Sequence, residues 1–179
     1  KIKEEFPLKP INPYGKTKLA IEDFLRDIYL TLPYSWRIIN LRYFNPIGAH
    51  YSGLLGESPI GMPNNIFPLI LKVASKQLDK LKVFGDDWKT RDGTCIRDYI
   101  HINDLADGHI AAMEYLEKNK AQILNLNIGT GKGHTVYELI KTFENVNNII
   151  IPYSISSRRD GDQEKVIADT TKILKTLKW

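Results

Sequence analysis

The stretch ILNLNIGTGKGHTVYELIKTFENV, residues 123–146, joins two kinds of segment through a glycine turn. ILNLNIG is a short apolar run bounded by turn residues and reads as a strand. GTGKG gives the backbone freedom for a tight bend, and HTVYELIKTFENV reads as the helix that follows. A strand turning tightly into a helix is half of a crossover between parallel strands. If that reading is right, strands and helices should alternate along the rest of the chain.

They do so on both sides. Upstream, Asn12 is a good helix cap and Pro13 suits the first helical position. Ile21, Phe24, Leu25, Ile28, Tyr29 and Leu32 then recur at helical spacing until Pro33 stops the run. WRIINLRY (36–43) is a dense apolar run, expected as a strand covered on both faces. IFPLILKVASKQ (66–77) reads as a helix, LKVFG (81–85) as a strand and IRDYIHI (96–102) as extended, with Asn103 capping a helix to about Glu117. Downstream, NIIIPYS reads as a strand, SSRRDGDQEK as a polar loop and DTTKILKTLKW as a capped terminal helix. The fold class is α/β with crossover connections. The intervening FNPIGAHYSGLLGESPIGMPNN (44–65) is a long Gly/Pro/Asn-rich loop of the kind that usually carries function.

Bulk composition narrows the function classes. The chain has 179 residues, 42% hydrophobic and 26% charged, which is the globular range and ample for one core. The 25 basic and 21 acidic residues leave a net charge of +4, and the basic residues are scattered, so nucleic acid is not the expected partner. Cys95 is the one cysteine, which excludes an internal disulfide and suits a reducing compartment. No apolar run approaches the ~20 residues of a membrane span. A cytoplasmic protein with no membrane partner is expected.

Few motifs carry chemistry by themselves. GTGKG fails the phosphate-loop pattern that ends in G-K-[ST], and it fails G-x-G-x-x-G because its third glycine comes one residue early, at Gly133. It reads as a structural turn, with backbone donors that could lie near a ligand. His50, His101, His109 and His134 lack metal-ligand spacing, so no metal is expected. Arg97 and the pair Arg158–Arg159 lie next to loops and have the planar fork that suits a phosphate. In PYGKTK, Tyr14 and Lys18 are four apart on a helix and share a face. A cation beside a phenol favours phenolate, which makes a tyrosine a usable general base. The same spacing also fits the polar start of an ordinary helix.

Taken together, NPYGKTK, LRYFNPIGAH, GMPNNIFPLI, VFGDDWKTRDGTCIRDYIHINDLADGH and RRDGD resemble, in order, the extended short-chain dehydrogenases/reductases, and most closely their UDP-galactose 4-epimerase branch. The resemblance covers nearly the whole chain. It implies NAD as cofactor and UDP-glucose and UDP-galactose as substrates, interconverted through a 4-keto sugar that turns over in the site. Tyr14 would take the 4-hydroxyl proton, and Lys18 would bind the nicotinamide ribose and favour the phenolate. Tyr43 and Phe44 would lie against the nicotinamide end, and Asn45 would hydrogen-bond the diphosphate region. Asn65 and Ile66 would start a helix over the diphosphate. Lys82, Val83 and Phe84 would hold uracil, Arg97 and Arg159 would neutralise the diphosphate, and Asp162 would bind the uridine ribose.

Two departures from that pattern set further expectations. Val166 stands where many bacterial epimerases carry a tyrosine against the sugar, so UDP-N-acetylhexosamines are expected to fit as well. The glycine loop, the acidic ribose-binding residue and the catalytic Ser/Thr of the pattern all precede its Y-x-x-x-K motif, and none is found in the short segment before Pro13. The chain is therefore expected to be the C-terminal part of such an enzyme, unable alone to hold NAD firmly or turn over sugar. Residues 1–44 would end the Rossmann-type NAD domain, and 45–179 would form mainly the substrate domain, with some segments returning to the Rossmann sheet. Family members commonly form homodimers through the helix bearing Tyr14, where Leu19 and Leu30 give a partly apolar flank. A related dehydratase or decarboxylase, and a non-catalytic nucleotide-sugar-binding module, are the competing readings.

Overall fold

The Asn12 side chain starts the first helix by accepting from the Gly15 N–H at 2.7 Å, and α1 runs Pro13–Thr31. The structure, a computed structural model, describes residues 1–179 with five helices and nine short strands. After α1 come β1 (Arg37–Tyr43), β2 (Asn45–Ile47), α2 (Ile66–Ala74), β3 (Leu81–Phe84), β4 (Ile96–Arg97) and β5 (Tyr99–His101). The chain continues through α3 (Ile102–Lys118), β6 (Gln122–Ile128), β7 (His134–Thr135), α4 (Val136–Asn147), β8 (Tyr153–Ser156), β9 (Lys165–Val166) and α5 (Thr171–Leu177).

Parallel pairing dominates, as crossover helices require. β1 pairs with β6, β2 with β5 and β3 with β8, all parallel. β4 is the centre of a small mixed sheet, antiparallel to β7 and parallel to β9. The register sets Tyr43 beside Ile128, Asn45 beside Tyr99 and Arg97 beside Val166. Segments that carry the expected site residues are thereby brought together from distant parts of the sequence.

Two apolar clusters hold these pieces. Ile70 and Val73 of α2 pack with Leu81, Val83, Cys95, Val136, Ile140 and Ile151, while Ile100, Leu105, Leu126, Ile128 and Ile173 form the other cluster. Each fully buried isoleucine or leucine here contributes about 1.5–3 kcal/mol relative to exposure.

Several boundaries differ from the sequence reading, each for a local reason. α2 ends at Ala74 because Ser75 Oγ donates to the Leu71 carbonyl at 2.8 Å and Lys76 takes a positive φ of 58°. His101 caps α3, its Nδ1 accepting from the Asn103 N–H at 3.2 Å, so Asn103 lies inside that helix. α4 begins at Val136 behind a capping box in which the Thr135 hydroxyl accepts from the Glu138 N–H. β8 falls at Tyr153–Ser156, so it overlaps the NIIIPYS segment (148–154) read as a strand only at its last two residues and starts after the Ile149–Ile151 run. β1 pairs along one edge with β6, α1 meets one of its faces through the Glu22–Arg42 pair, and Ile39 and Leu41 on the other face pack against the cluster that holds Leu105 of α3; both faces are met as expected, although of its residues Ile38 alone is buried.

Candidate active site

Nine of the expected residues border one cleft: Asn45, Asn65, Ile66, Lys82, Val83, Phe84, Arg97, Arg159 and Asp162. They arrive from four directions. Asn45 opens β2, Asn65 and Ile66 start α2, Lys82 to Phe84 end β3, and Arg97 ends β4 opposite the turn that carries Arg159 and Asp162. No side chain caps the α2 N-terminus, and the Asn65 amide donates instead to Glu57 at 3.1 Å. The first N–H groups of that helix therefore lack a side-chain acceptor, and a helix N-terminus of this kind favours an anion.

Asp162 organises the basic side of the cleft. Its carboxylate accepts from Arg97 at 3.4 Å and from Arg159 Nε at 3.1 Å. Arg97 is further held by donating to the Gln163 carbonyl at 2.7 Å and to the Ile96 carbonyl at 2.9 Å. The Arg159 guanidinium covers the Phe84 ring at 4.7 Å from its centroid. Arg158, grouped with Arg159 in the sequence reading, turns away: it donates to the Asp87 carboxylate at 2.8 Å and stacks on Trp88 at 3.9 Å. That hydrogen bond holds the Asp87 carboxyl below the usual carboxylate range.

A second cleft adjoins the first at Asn45, which lines both. Its wall includes Lys18, Tyr43, Phe44 and Val166. Tyr14 is not part of that wall. It lies one turn earlier on α1, 67% exposed, with the Lys18 ammonium 5.3 Å from its ring centroid. Tyr14 and Lys18 thus share a helix face as their spacing required, and Lys18 is the member that reaches the cleft. Lys18 supplies a cation and donors, and Tyr43 and Phe44 supply aromatic faces. This donor set suits the ribose and ring of a nicotinamide nucleotide.

The glycine turn plays no direct part in this geometry. The Thr130 and Gly131 N–H groups donate to the buried Asp98 carboxylate at 2.8 and 2.9 Å, so they are not turned to a ligand. Gly131 takes a positive φ of 70°, and a Cβ on Gly129 would sit 2.8 Å from Asp98 Oδ2, so the turn needs glycine at both places.

Four residues that line the clefts escaped the sequence reading. Cys95 lines the first cleft, its thiol pushed up by burial. Tyr99 lines it too, its phenol pushed up to about 12 by burial and so kept protonated. Arg42 and Glu22 border the second cleft and form a two-pronged pair at 2.8 and 2.6 Å. No short motif marks any of them. No group of three or more potential ligands that could hold a metal is present, and no helix is long and apolar enough to cross a membrane.

This is the fold of the C-terminal part of the extended short-chain dehydrogenases/reductases. The chain belongs to the family described as GDP-mannose 4,6 dehydratase, whose sequence model matches residues 1–179. Among curated relatives, it is 53% identical over 177 residues to UDP-glucose 4-epimerase 2 of Oryza sativa subsp. japonica, covering 98% of this chain and 43% of the relative. It is 47% identical to UDP-glucose 4-epimerase of Bacillus subtilis (strain 168), covering 99% of this chain and 52% of that one. Two solved structures are similar throughout. One is UDP-glucose 4-epimerase from Stenotrophomonas maltophila with bound NAD and formylated UDP-arabinopyranose, with TM-score 0.96, 44% identity and coverage of 99% and 52%. The other is UDP-glucose 4-epimerase from Bifidobacterium longum with NAD+ and UDP, with TM-score 0.93, 47% identity and the same coverage. The chain spans about half the length of the relatives it matches.

Proposed function

We propose that this chain forms the nucleotide-sugar-binding and proton-handling part of an NAD-dependent UDP-glucose 4-epimerase. The observation that carries the reading is the convergence of Asn45, Asn65, Phe84, Arg97, Arg159 and Asp162 on one cleft that joins, at Asn45, a second cleft bearing Lys18, Tyr43 and Phe44. Arg97 and Arg159 balance the diphosphate, the α2 N-terminus adds N–H donors to it, and Lys82 to Phe84 hold the uracil. Asp162 exchanges part of its ion pairing for the uridine ribose hydroxyls. The nucleotide thus supplies binding energy at a distance and leaves the sugar free to turn. Bound NAD supplies hydride acceptance and return at sugar carbon 4. Tyr14 takes the proton of the 4-hydroxyl and gives it back to the 4-keto oxygen, while Lys18 holds the nicotinamide ribose and favours the phenolate.

In this reading residues 1–44 end the NAD domain and 45–179 are mainly the substrate domain, with β6 returning to lie beside β1, a division supported by their parallel pairing. Two copies pair through α1, a role that fits the exposure of Ile21, Phe24 and Leu30 on that helix. The protein acts in galactose metabolism in the cytoplasm, where the single buried thiol stays reduced. UDP-N-acetylhexosamines are further substrates, admitted by the small side chain of Val166.

Calorimetric titration of the chain with UDP tests the cleft, and the absence of binding would overturn the reading. Conversion of UDP-galactose, followed by proton NMR in the polypeptide its gene encodes, tests the chemistry. There Tyr14→Phe should slow turnover by about 10²–10⁴-fold, the usual contribution of a general base, and leave UDP affinity unchanged.

A further inference from the structure

Asp98 follows Arg97 directly and is fully buried. Its carboxylate accepts four hydrogen bonds: from the Thr130 N–H at 2.8 Å, the Thr130 hydroxyl at 2.7 Å, the Gly131 N–H at 2.9 Å and the Ala168 N–H at 3.1 Å. Four is the acceptor capacity of an ionised carboxylate, and full pairing is what makes its burial tolerable. Its main chain is engaged as well. The Asp98 carbonyl accepts from the Asn45 N–H at 3.0 Å, and its own N–H donates to the Val166 carbonyl at 3.1 Å.

These bonds tie together the segments on which the two clefts depend. Asn45, which lines both, hangs from the Asp98 carbonyl. Val166 is fixed from two sides, by the Asp98 N–H and by the carboxylate bond to Ala168 two residues on. Arg97 is the adjacent residue and projects towards Gln163 and Asp162. The glycine turn contributes by presenting its two N–H groups to Asp98.

We infer that Asp98 is a positioning residue for the diphosphate end of the site: by clamping the Thr130–Gly131 turn and Ala168, its carboxylate fixes Asn45, Arg97 and Val166 in their binding geometry. The inference rests on the reading of the first cleft as a UDP-sugar site. It makes a prediction whose sign is informative. Removing a negative charge near a diphosphate strengthens anion binding on electrostatic grounds, whereas loss of a clamp weakens it.

The test compares UDP with uridine, which lacks the diphosphate, by calorimetry and ligand-observed NMR on the chain and its variants. Asp98→Asn keeps shape but turns an N–H group towards backbone donors, and should lose at least tenfold in UDP affinity with uridine affinity little changed. Thr130→Val removes one of the four bonds and should lose about threefold on the same scale, with Thr130→Ser restoring it. Circular dichroism and thermal melting establish which variants are folded. A folded Asp98→Asn variant with UDP affinity equal to or above that of the parent overturns the inference. So does a parallel loss for uridine, which marks general damage. If Asp98→Asn does not fold, Thr130→Val decides, and unchanged UDP affinity there overturns the inference equally. A parent chain with no preference for UDP over uridine overturns the reading of the cleft itself.

Discussion

Arg159 lies with its guanidinium over the Phe84 ring, 4.7 Å from the centroid, while its Nε donates to Asp162 at 3.1 Å. One side chain therefore touches both the aromatic ring proposed to hold the base and the carboxylate proposed to hold the ribose. Arg159→Ala should weaken UDP binding by about 10–100-fold, the usual loss for a charge-assisted bond. Phe84→Leu keeps an apolar wall but loses the stacked cation, and should weaken it by roughly 2–5-fold. Titration calorimetry at two salt concentrations reads both, and an Arg159→Ala variant that binds like the parent would contradict the assignment.

Glu22 and Arg42 pin α1 to β1. Their side chains are 20% and 19% exposed, and Arg42 also donates to the Glu4 carbonyl at 3.0 Å. The guanidinium is pushed above its ordinary value chiefly by its hydrogen bonds to Glu22. α1 contains no buried residue, so this pair carries an unusual share of its attachment within the chain. Glu22→Ala should lower unfolding free energy by about 1–3 kcal/mol, between the values for exposed and buried pairs. The reversed pair Glu22→Arg with Arg42→Glu should recover part of that. Urea unfolding measures it, and additive losses in the double variant would show that the two residues do not act on each other.

The dependence on that pair illustrates what the sequence could and could not disclose. That Tyr14 and Lys18 share a helix face was legible from their spacing, the placing of Asn45, Phe84 and Arg97 at one cleft was expected through the family resemblance, and the alternation of strands and helices was legible from apolar runs and turn residues. Asp98 was not, because its partners lie 32, 33 and 70 positions away and only the fold brings them in. Arg158 was misread for a related reason. Two adjacent arginines look equivalent in a sequence, but in the loop between β8 and the Asp160–Gly161 turn their side chains part: Asp87 captures Arg158 while Asp162 accepts from Arg159.

Acid should unfold the protein partly through Glu138. Two hydrogen bonds from Arg91 hold its carboxyl down to about 2, against an ordinary 4.5, with the Thr135 N–H and His134 adding to the effect. A folded-state value below the unfolded one means that the contribution is complete above about 4.5 and disappears as pH falls towards 2. The side chain is 40% exposed, so solvent screening keeps the effect modest. Urea midpoints measured between pH 2 and 6 should fall less steeply in Glu138→Gln than in the parent. Identical slopes would mean that other carboxylates carry the acid limb.

If the second cleft holds the sugar as proposed, Val166 is the residue that sets which sugar fits. β9 pairs with β4 so that Val166 stands beside Arg97, and it lines the second cleft together with Tyr43 and Phe44. In the proposed reading the acetamido group of a UDP-N-acetylhexosamine takes the space next to the sugar ring that a valine leaves and a tyrosine would fill. Val166→Tyr should therefore discriminate by steric exclusion, which a packed site enforces strongly. UDP-N-acetylglucosamine affinity should fall by at least about tenfold, equivalent to ~1.4 kcal/mol, while UDP-glucose affinity stays within about threefold, or ~0.65 kcal/mol. Parallel titrations with the two nucleotide sugars check this. Equal losses for both would show that the substitution disturbs the Arg97 strand rather than the sugar pocket, and no loss for either would remove Val166 from the sugar's surroundings.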